Sequence, residues 1–279
     1  MPCFAEPQIE TVLPLAALAR CVGCHTALGG SDVCPRCERS YPVRDGIWEA
    51  IGSLAGTNRI AADFYDGPGW TRFRPFEQLF LWFQGPGPAR ARRKVLRFLP
   101  RGDGLRVLEV GIGAGENVPL LPPSWSVYGV DIARTQLVAC AERFPALRGK
   151  LAWAEGESLP FVDQEFDAVF SVGGFNYFRD PEAALREMRR VTRPGATVVV
   201  ADEIPDLHRL SPASALGLVE FNEWSLGALG LDRAFIEMVL NHPNDLDSRV
   251  RAVWPAHRRV AIWHRLGYSY IDPPPTRSH

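Results

Sequence analysis

From position 105 onward, apolar residues fall into short branched runs separated by polar stretches of helical spacing. Residues 105–110 (LRVLEV), 126–130 (SVYGV), 166–172 (FDAVFSV) and 196–201 (ATVVVA) each read as a buried strand. Asp180-Pro181 opens a helix predicted to run to Arg193, with Pro194-Gly195 as its stop. Residues 204–257 are too long for a simple crossover and read as two helices rich in Leu, Phe, Trp and Met. Residues 258–272 (RRVAIWHRLGYSYID) alternate enough for a terminal antiparallel strand pair, with Gly267 marking a bulge. Strand and helix patterns in alternation put the chain in the α/β class.

Composition narrows the picture. Hydrophobic residues make up 46% and charged residues 23% of the 279, enough apolar matter for a core. The formal net charge is -1, whereas a protein that lives on phosphate contacts usually has a basic balance. No apolar run reaches membrane-spanning length. The first twenty residues have no basic start and are broken by prolines, unlike a signal peptide. Four of six cysteines sit close together, which suggests a metal site in a reducing compartment and a cytoplasmic location.

Those four are Cys21, Cys24, Cys34 and Cys37, two Cys-x2-Cys turns separated by nine residues. Each turn can aim two thiolates at one point, and two turns make a tetrahedral sulfur site. A redox motif would need only one. Gly29-Gly30 and Ser31-Asp32 suit the hairpin that joins them. With every position filled by protein, the site is expected to be structural, holding zinc; iron fits the same cage. Tyr41-Pro42-Val43-Arg44-Asp45-Gly46-Ile47 follow, then Trp48 where proline would be usual. The whole run resembles the zinc ribbons of methyltransferase activator subunits. That resemblance implies a zinc-ribbon module over residues 1–52 and a methyltransferase as its partner or fused domain. The ribbon is expected to fold the N-terminal module and hold it near an active-site mouth.

The loop Gly111-Ile112-Gly113-Ala114-Gly115 follows the first strand and exposes bare backbone to a ligand. Asp131 ends the next strand, about twenty residues after the first glycine, where a ribose-binding carboxylate stands in such folds. A dinucleotide fingerprint would place glycine at position 116, which is Glu. Glu109 with this loop resembles motif I of class I S-adenosylmethionine methyltransferases. Residues 154–178 (AEGESLPFVDQEFDAVFSVGGFNYF) resemble the later motifs of the quinone-biosynthesis C-methyltransferase type, with Glu155 where Asp is usual.

The resemblance implies a Rossmann-like, seven-stranded sheet of order 3-2-1-4-5-7-6 over residues 101–279. A helical cap insert is expected at about 205–257, and a linker and helical lid at 53–100. S-adenosylmethionine is the implied methyl donor. The backbone from Gly111 through Gly113 to Gly115 would meet its methionine end, Asp131 its ribose, and Glu155 with Gly156 its adenine. Glu109, Ile132, Glu157 and Val172 complete the implied set. Tyr65, in Phe64-Tyr65-Asp66, would cover the donor, where an aromatic face suits a sulfonium.

An apolar cap suggests a lipophilic or aromatic small-molecule acceptor. Polar candidates beside it are Asn176, Tyr177, Glu203, His208 and His242; His208, Tyr177 and Asn176 lead as catalytic groups. A base is needed only where the acceptor must lose a proton. The alternative is an rRNA or tRNA base methyltransferase that uses the ribbon for RNA contact. Arg90, Arg92, Arg93, Lys94 and Arg97 cluster, and Arg186, Arg189, Arg190 and Arg193 line one helix. Glu182 and Glu187 dilute the second group, and Asp32, Glu38 and Asp45 offset Arg36, Arg39 and Arg44 near the cysteines. This balance favours the small molecule over nucleic acid.

Overall fold

Branched and aromatic residues at alternating positions fill both faces of one sheet. Leu108, Val110, Tyr128, Val130, Val198, Val200, Tyr268 and Tyr270 face one layer; Val107, Val127, Val199 and Ile271 face the other. The computed structural model describes residues 15–84, 87–204, 224, 226–242 and 245–273. In chain order the elements are α1 Leu15–Leu18, β1 Val43–Arg44, β2 Ile47–Glu49, α2 Gly56–Asp66, α3 Pro68–Gln84 and α4 Pro88–Leu96. Then come β3 Arg106–Val110, β4 Ser126–Asp131, α5 Arg134–Arg143, β5 Leu151–Trp153, β6 Phe166–Val172, α6 Pro181–Val191 and β7 Thr192–Glu203. The last are α7 Arg233–Leu240, α8 Leu246–Val253, β8 Arg258–Ile262 and β9 Gly267–Asp272.

The sheet has nine strands in the order β1-β2-β5-β4-β3-β6-β7-β9-β8, not the expected seven. Counted from β3, the seven strands from β5 to the β8 edge run 3-2-1-4-5-7-6. The two further strands come from the segment after the cysteines. β2 pairs parallel to β5, with Ile47 opposite Leu151 and Glu49 opposite Trp153. Asp45 and Gly46 turn between β1 and β2 with φ of 56° and 75°, the left-handed pair that a tight hairpin needs. At Gly46 a side chain would also stand 2.9 Å from Cβ of Arg148. The N-terminal segment is continuous with the main core: Leu15, Leu18, Cys21 and Tyr41 share one apolar layer with α6 and α8. Ala91 and Val95 of α4 and Leu137 and Cys140 of α5 fill the other.

Two boundaries shift. α6 stops at Val191 rather than Arg193, and β7 begins at Thr192, earlier than the expected 196. Thr192 already pairs with Phe166; the register then shifts before Ala168 meets Thr197, and Gly195 turns there with φ 75°. Pro194-Gly195 therefore bend a strand rather than end a helix. Gly267 makes no bulge, since it pairs in register with both Glu203 and Ile262. Its reason is close approach: a Cβ there would lie 2.5 Å from the Trp263 ring. Among the described residues, no helix is long and apolar enough to cross a membrane.

Candidate functional site

The carboxyl ends of β3, β4, β6 and β7 open into a cavity of about 420 Å3, covered by α2, α3 and α7. This is where parallel α/β sheets take ligands, and the size suits a small molecule. Loop backbone forms one end. Gly111 and Gly113 hold φ of 80° and 53°, and a Cβ on Gly113 would meet nothing within 4 Å. Gly173 and Gly174, after β6, are equally open. Asp131 lies beside them. Its Oδ2 accepts from the Gly113 amide at 2.7 Å and its Oδ1 from the Ala133 amide at 2.8 Å. Burial raises this carboxyl, the two amides pull it back, and it rests at about 6.

Glu109 is fully buried beneath the loop. Asn117 donates to its Oε1 at 2.6 Å, while Oε2 has no hydrogen-bond partner among the described residues. Burial pushes this carboxyl up to about 8, against the Asn117 bond and the Arg92 charge. Arg92 also pairs with Glu77 of α3 at 3.1 Å, and both line the cavity.

The other end is aromatic and apolar. Tyr65, Trp70, Phe73, Tyr177, Leu231, Phe235 and Val239 line it. Phe64 stacks on Phe235 with ring centroids 4.0 Å apart, which ties α2 to α7. Tyr177 donates its hydroxyl to Oε1 of Glu203 at 3.2 Å. The carbonyl of Asn176 lies 2.8 Å from Nε2 of His242. A carbonyl only accepts, so Nε2 carries the hydrogen. The Asn176 side chain is committed: it donates to the Glu203 carbonyl and accepts from the Tyr268 hydroxyl, each at 2.8 Å. Its amide donates to Oδ2 of buried Asp202, a carboxyl driven upward by burial and by Glu203. Asn176 is thus a brace for the loop rather than a free reactive group.

Most expected residues therefore converge. Tyr65, Glu109, Gly111, Gly113, Asp131, Ile132, Gly156, Val172, Asn176, Tyr177, Glu203 and His242 all line the cavity. Three do not. At Gly115 a Cβ would lie 2.8 Å from the Phe144 ring and 2.9 Å from Sγ of Cys140, so this glycine serves packing. Glu155 and Glu157 turn to Asn58, whose Nδ2 donates to them at 2.9 and 3.0 Å. Asn58 also accepts from the Arg179 amide at 2.9 Å. His208 lies outside the described residues. Asn58, Asp202, Glu77 and Phe235 were not expected at the site, and Arg92 was expected only within a basic cluster. Asn58 and Phe235 are defined by partners about a hundred or more positions away, Asp202 by the loop after β6, and Arg92 of α4 and Glu77 of α3 by each other.

The cysteines form a second cluster. Their four Sγ atoms lie within 4.8 Å of one another. Tetrahedral zinc with bonds of about 2.3 Å needs sulfurs about 3.8 Å apart, so the set fits a metal. The two turns match: the His25 amide donates to the Cys21 carbonyl and the Glu38 amide to the Cys34 carbonyl, both at 2.9 Å, and both residues have φ near 60°. The amides of Gly23 and Cys24 point at Sγ of Cys21, and the Tyr41 hydroxyl donates to it at 3.0 Å. None of the four cysteines borders the cavity. No described residue before Ala61 lines the cavity.

Residues 108–200 match the family described as Methyltransferase domain. The demethylmenaquinone methyltransferase of Thermus thermophilus is 35% identical over 136 residues, covering 47% of this chain and 59% of that protein. The O-methyltransferase cnsE of Penicillium expansum is 28% identical over 123 residues, covering 42% and 45%. The chain spans about half the length of the curated relatives it matches. A solved SAM dependent methyltransferase from Aquifex aeolicus aligns over 78% of this chain and 98% of its own, at 18% identity and TM-score 0.43. Over residues 108–200, then, the chain is similar to methyltransferase domains.

Proposed function

We propose that the protein transfers a methyl group from S-adenosylmethionine to a small lipophilic or aromatic acceptor. The observation that carries this reading is one cavity with a bare-backbone end and an aromatic end. The sulfonium supplies the methyl as an electrophile. The chain's own work is to hold donor and acceptor in line and to keep water out.

In this reading the backbone of Gly111 and Gly113 holds the methionine end. Asp131, already fixed by two amides, accepts from the ribose hydroxyls. Ile132 and the Gly156 backbone flank the adenine, and Val172 borders the methyl path. Glu155 and Glu157 act at one remove, by fixing Asn58 and with it α2. Tyr65 offers a ring face to the sulfonium. Where an acceptor must lose a proton, Glu203 can take it by relay: the Tyr177 hydroxyl passes its own proton to Oε1 of Glu203 as its oxygen accepts the one that leaves the acceptor. The four cysteines hold a structural zinc that folds residues 15–41.

The test is calorimetry with S-adenosylmethionine, followed by labelled methyl transfer to a panel of quinones, phenols and single-stranded RNA. We expect donor binding and label in the aromatic acceptors. Absence of donor binding, or label in RNA alone, overturns the reading. Cys34→Ser should abolish bound zinc, measured by plasma emission, and lower the melting temperature, without changing which acceptors are labelled.

A further inference from the structure

α3 is apolar on two sides. Phe73 and Leu81 face the cavity together with Glu77. On the opposite side Phe76, Leu79 and Phe83 follow at helical spacing, with Trp82 beside them, and these four are 45% to 64% exposed. The Trp82 and Phe83 rings meet edge to face at 5.3 Å. Exposed apolar side chains usually scatter singly; four on successive turns of one helix make a patch that calls for an occupant.

The charge beside it is one-sided. Between Pro68 and Arg101 the chain carries eight Arg and Lys residues and one acid, Glu77, within a protein of net charge -1. α4 packs against α3 and buries Ala91 and Val95. Arg90, Arg93 and Arg97, spaced along and just past its other face, are exposed, as is Arg72 of α3. Aromatic residues beside arginines are the pairing that seats a protein on anionic lipid: rings enter the headgroup region while guanidiniums meet its charge. Leu79 has no π face to stack on a base, and α3 is itself a wall of the apolar end of the cavity, so lipid fits this surface better than nucleic acid.

We propose that the outer face of α3, with α4, docks on the surface of an anionic lipid bilayer. A lipophilic acceptor then passes from lipid to cavity along the two sides of one helix. The passage of an acceptor rests on the methyl-transfer reading above; the docking does not.

The full chain is floated with phosphatidylcholine vesicles containing one quarter phosphatidylglycerol, and with phosphatidylcholine alone. Binding to the anionic vesicles is expected, weakening as salt is raised. The double substitution Trp82→Ala, Phe83→Ala should weaken it at least about tenfold, as should Arg90→Glu with Arg93→Glu. None of these residues lines the cavity, so S-adenosylmethionine affinity and the circular-dichroism spectrum should stay unchanged. The proposal is overturned if anionic vesicles are not bound, or if neither double variant weakens binding. It is also overturned if the aromatic pair proves to mediate self-association or single-stranded RNA binding while vesicles stay unbound. Failure of the methyl-transfer reading would appear in the calorimetry, on which flotation does not depend.

Discussion

One end of the cavity is made of backbone and the other of side chains. At the Gly111–Gly113 end, amides and carbonyls lie at the tips of strands whose ladders hold them in place, and Asp131 is locked by two of those amides. At the other end Phe64, Tyr65, Tyr177 and Phe235 come from three separate segments and are held by one another's rings. Backbone fixed by a sheet keeps its shape whatever residues surround it; a wall of rings changes shape with each one. The first arrangement suits a ligand that never varies, and the second a ligand that can differ between related chains.

That contrast can be broken at either end. The largest effect should come from Gly113→Val. At φ 53° a branched residue is strained, and its side chain would enter the cavity. Donor affinity should fall about a hundredfold or more by calorimetry, each 1.4 kcal/mol being tenfold. Next is pH. Asp131 rests at about 6, so below that it becomes a neutral carboxyl and a poorer acceptor. Donor affinity should fall toward about tenfold per pH unit under 6, and Asp131→Asn should flatten the slope. Stability of the ligand-free protein moves the other way. The folded carboxyl holds its proton more tightly than the unfolded one, so its contribution declines as pH rises from the ordinary carboxylate value to about 6. The smallest effect is Phe235→Ala. It should raise the acceptor KM about tenfold while leaving donor affinity within about threefold, because lost ring packing stays local. Equal losses of both would show that the two ends are not separable.

The backbone end was largely legible in the sequence. β3, β4 and β6 announce themselves as branched apolar runs, and the glycines and Asp131 sit where those runs end. The aromatic end was not. Phe64 and Phe235 meet across 171 positions, a distance that no local period encodes. Glu155 and Glu157 read as ligand contacts because they stand in a motif, yet both are engaged by Asn58, in a segment with no motif of its own. β2 was missed because three residues are too few to show alternation, and its partner Leu151 lies over a hundred positions away. Arg193 through Gly195 carry a helix-stop pattern that the chain uses to kink β7.

The extension of the sheet by β1 and β2 gives the cysteine cluster a bearing on solubility. β2 occupies the hydrogen-bonding edge of β5, and the sheet then ends on two exposed residues, Val43 and Arg44, too short an edge to recruit another chain. If the N-terminal segment peeled away, Leu151, Ala152 and Trp153 would offer an open row of amides and carbonyls beside the apolar strand β4. On the reading that the four cysteines hold zinc, a chain starved of the metal is therefore expected to aggregate by strand addition at β5.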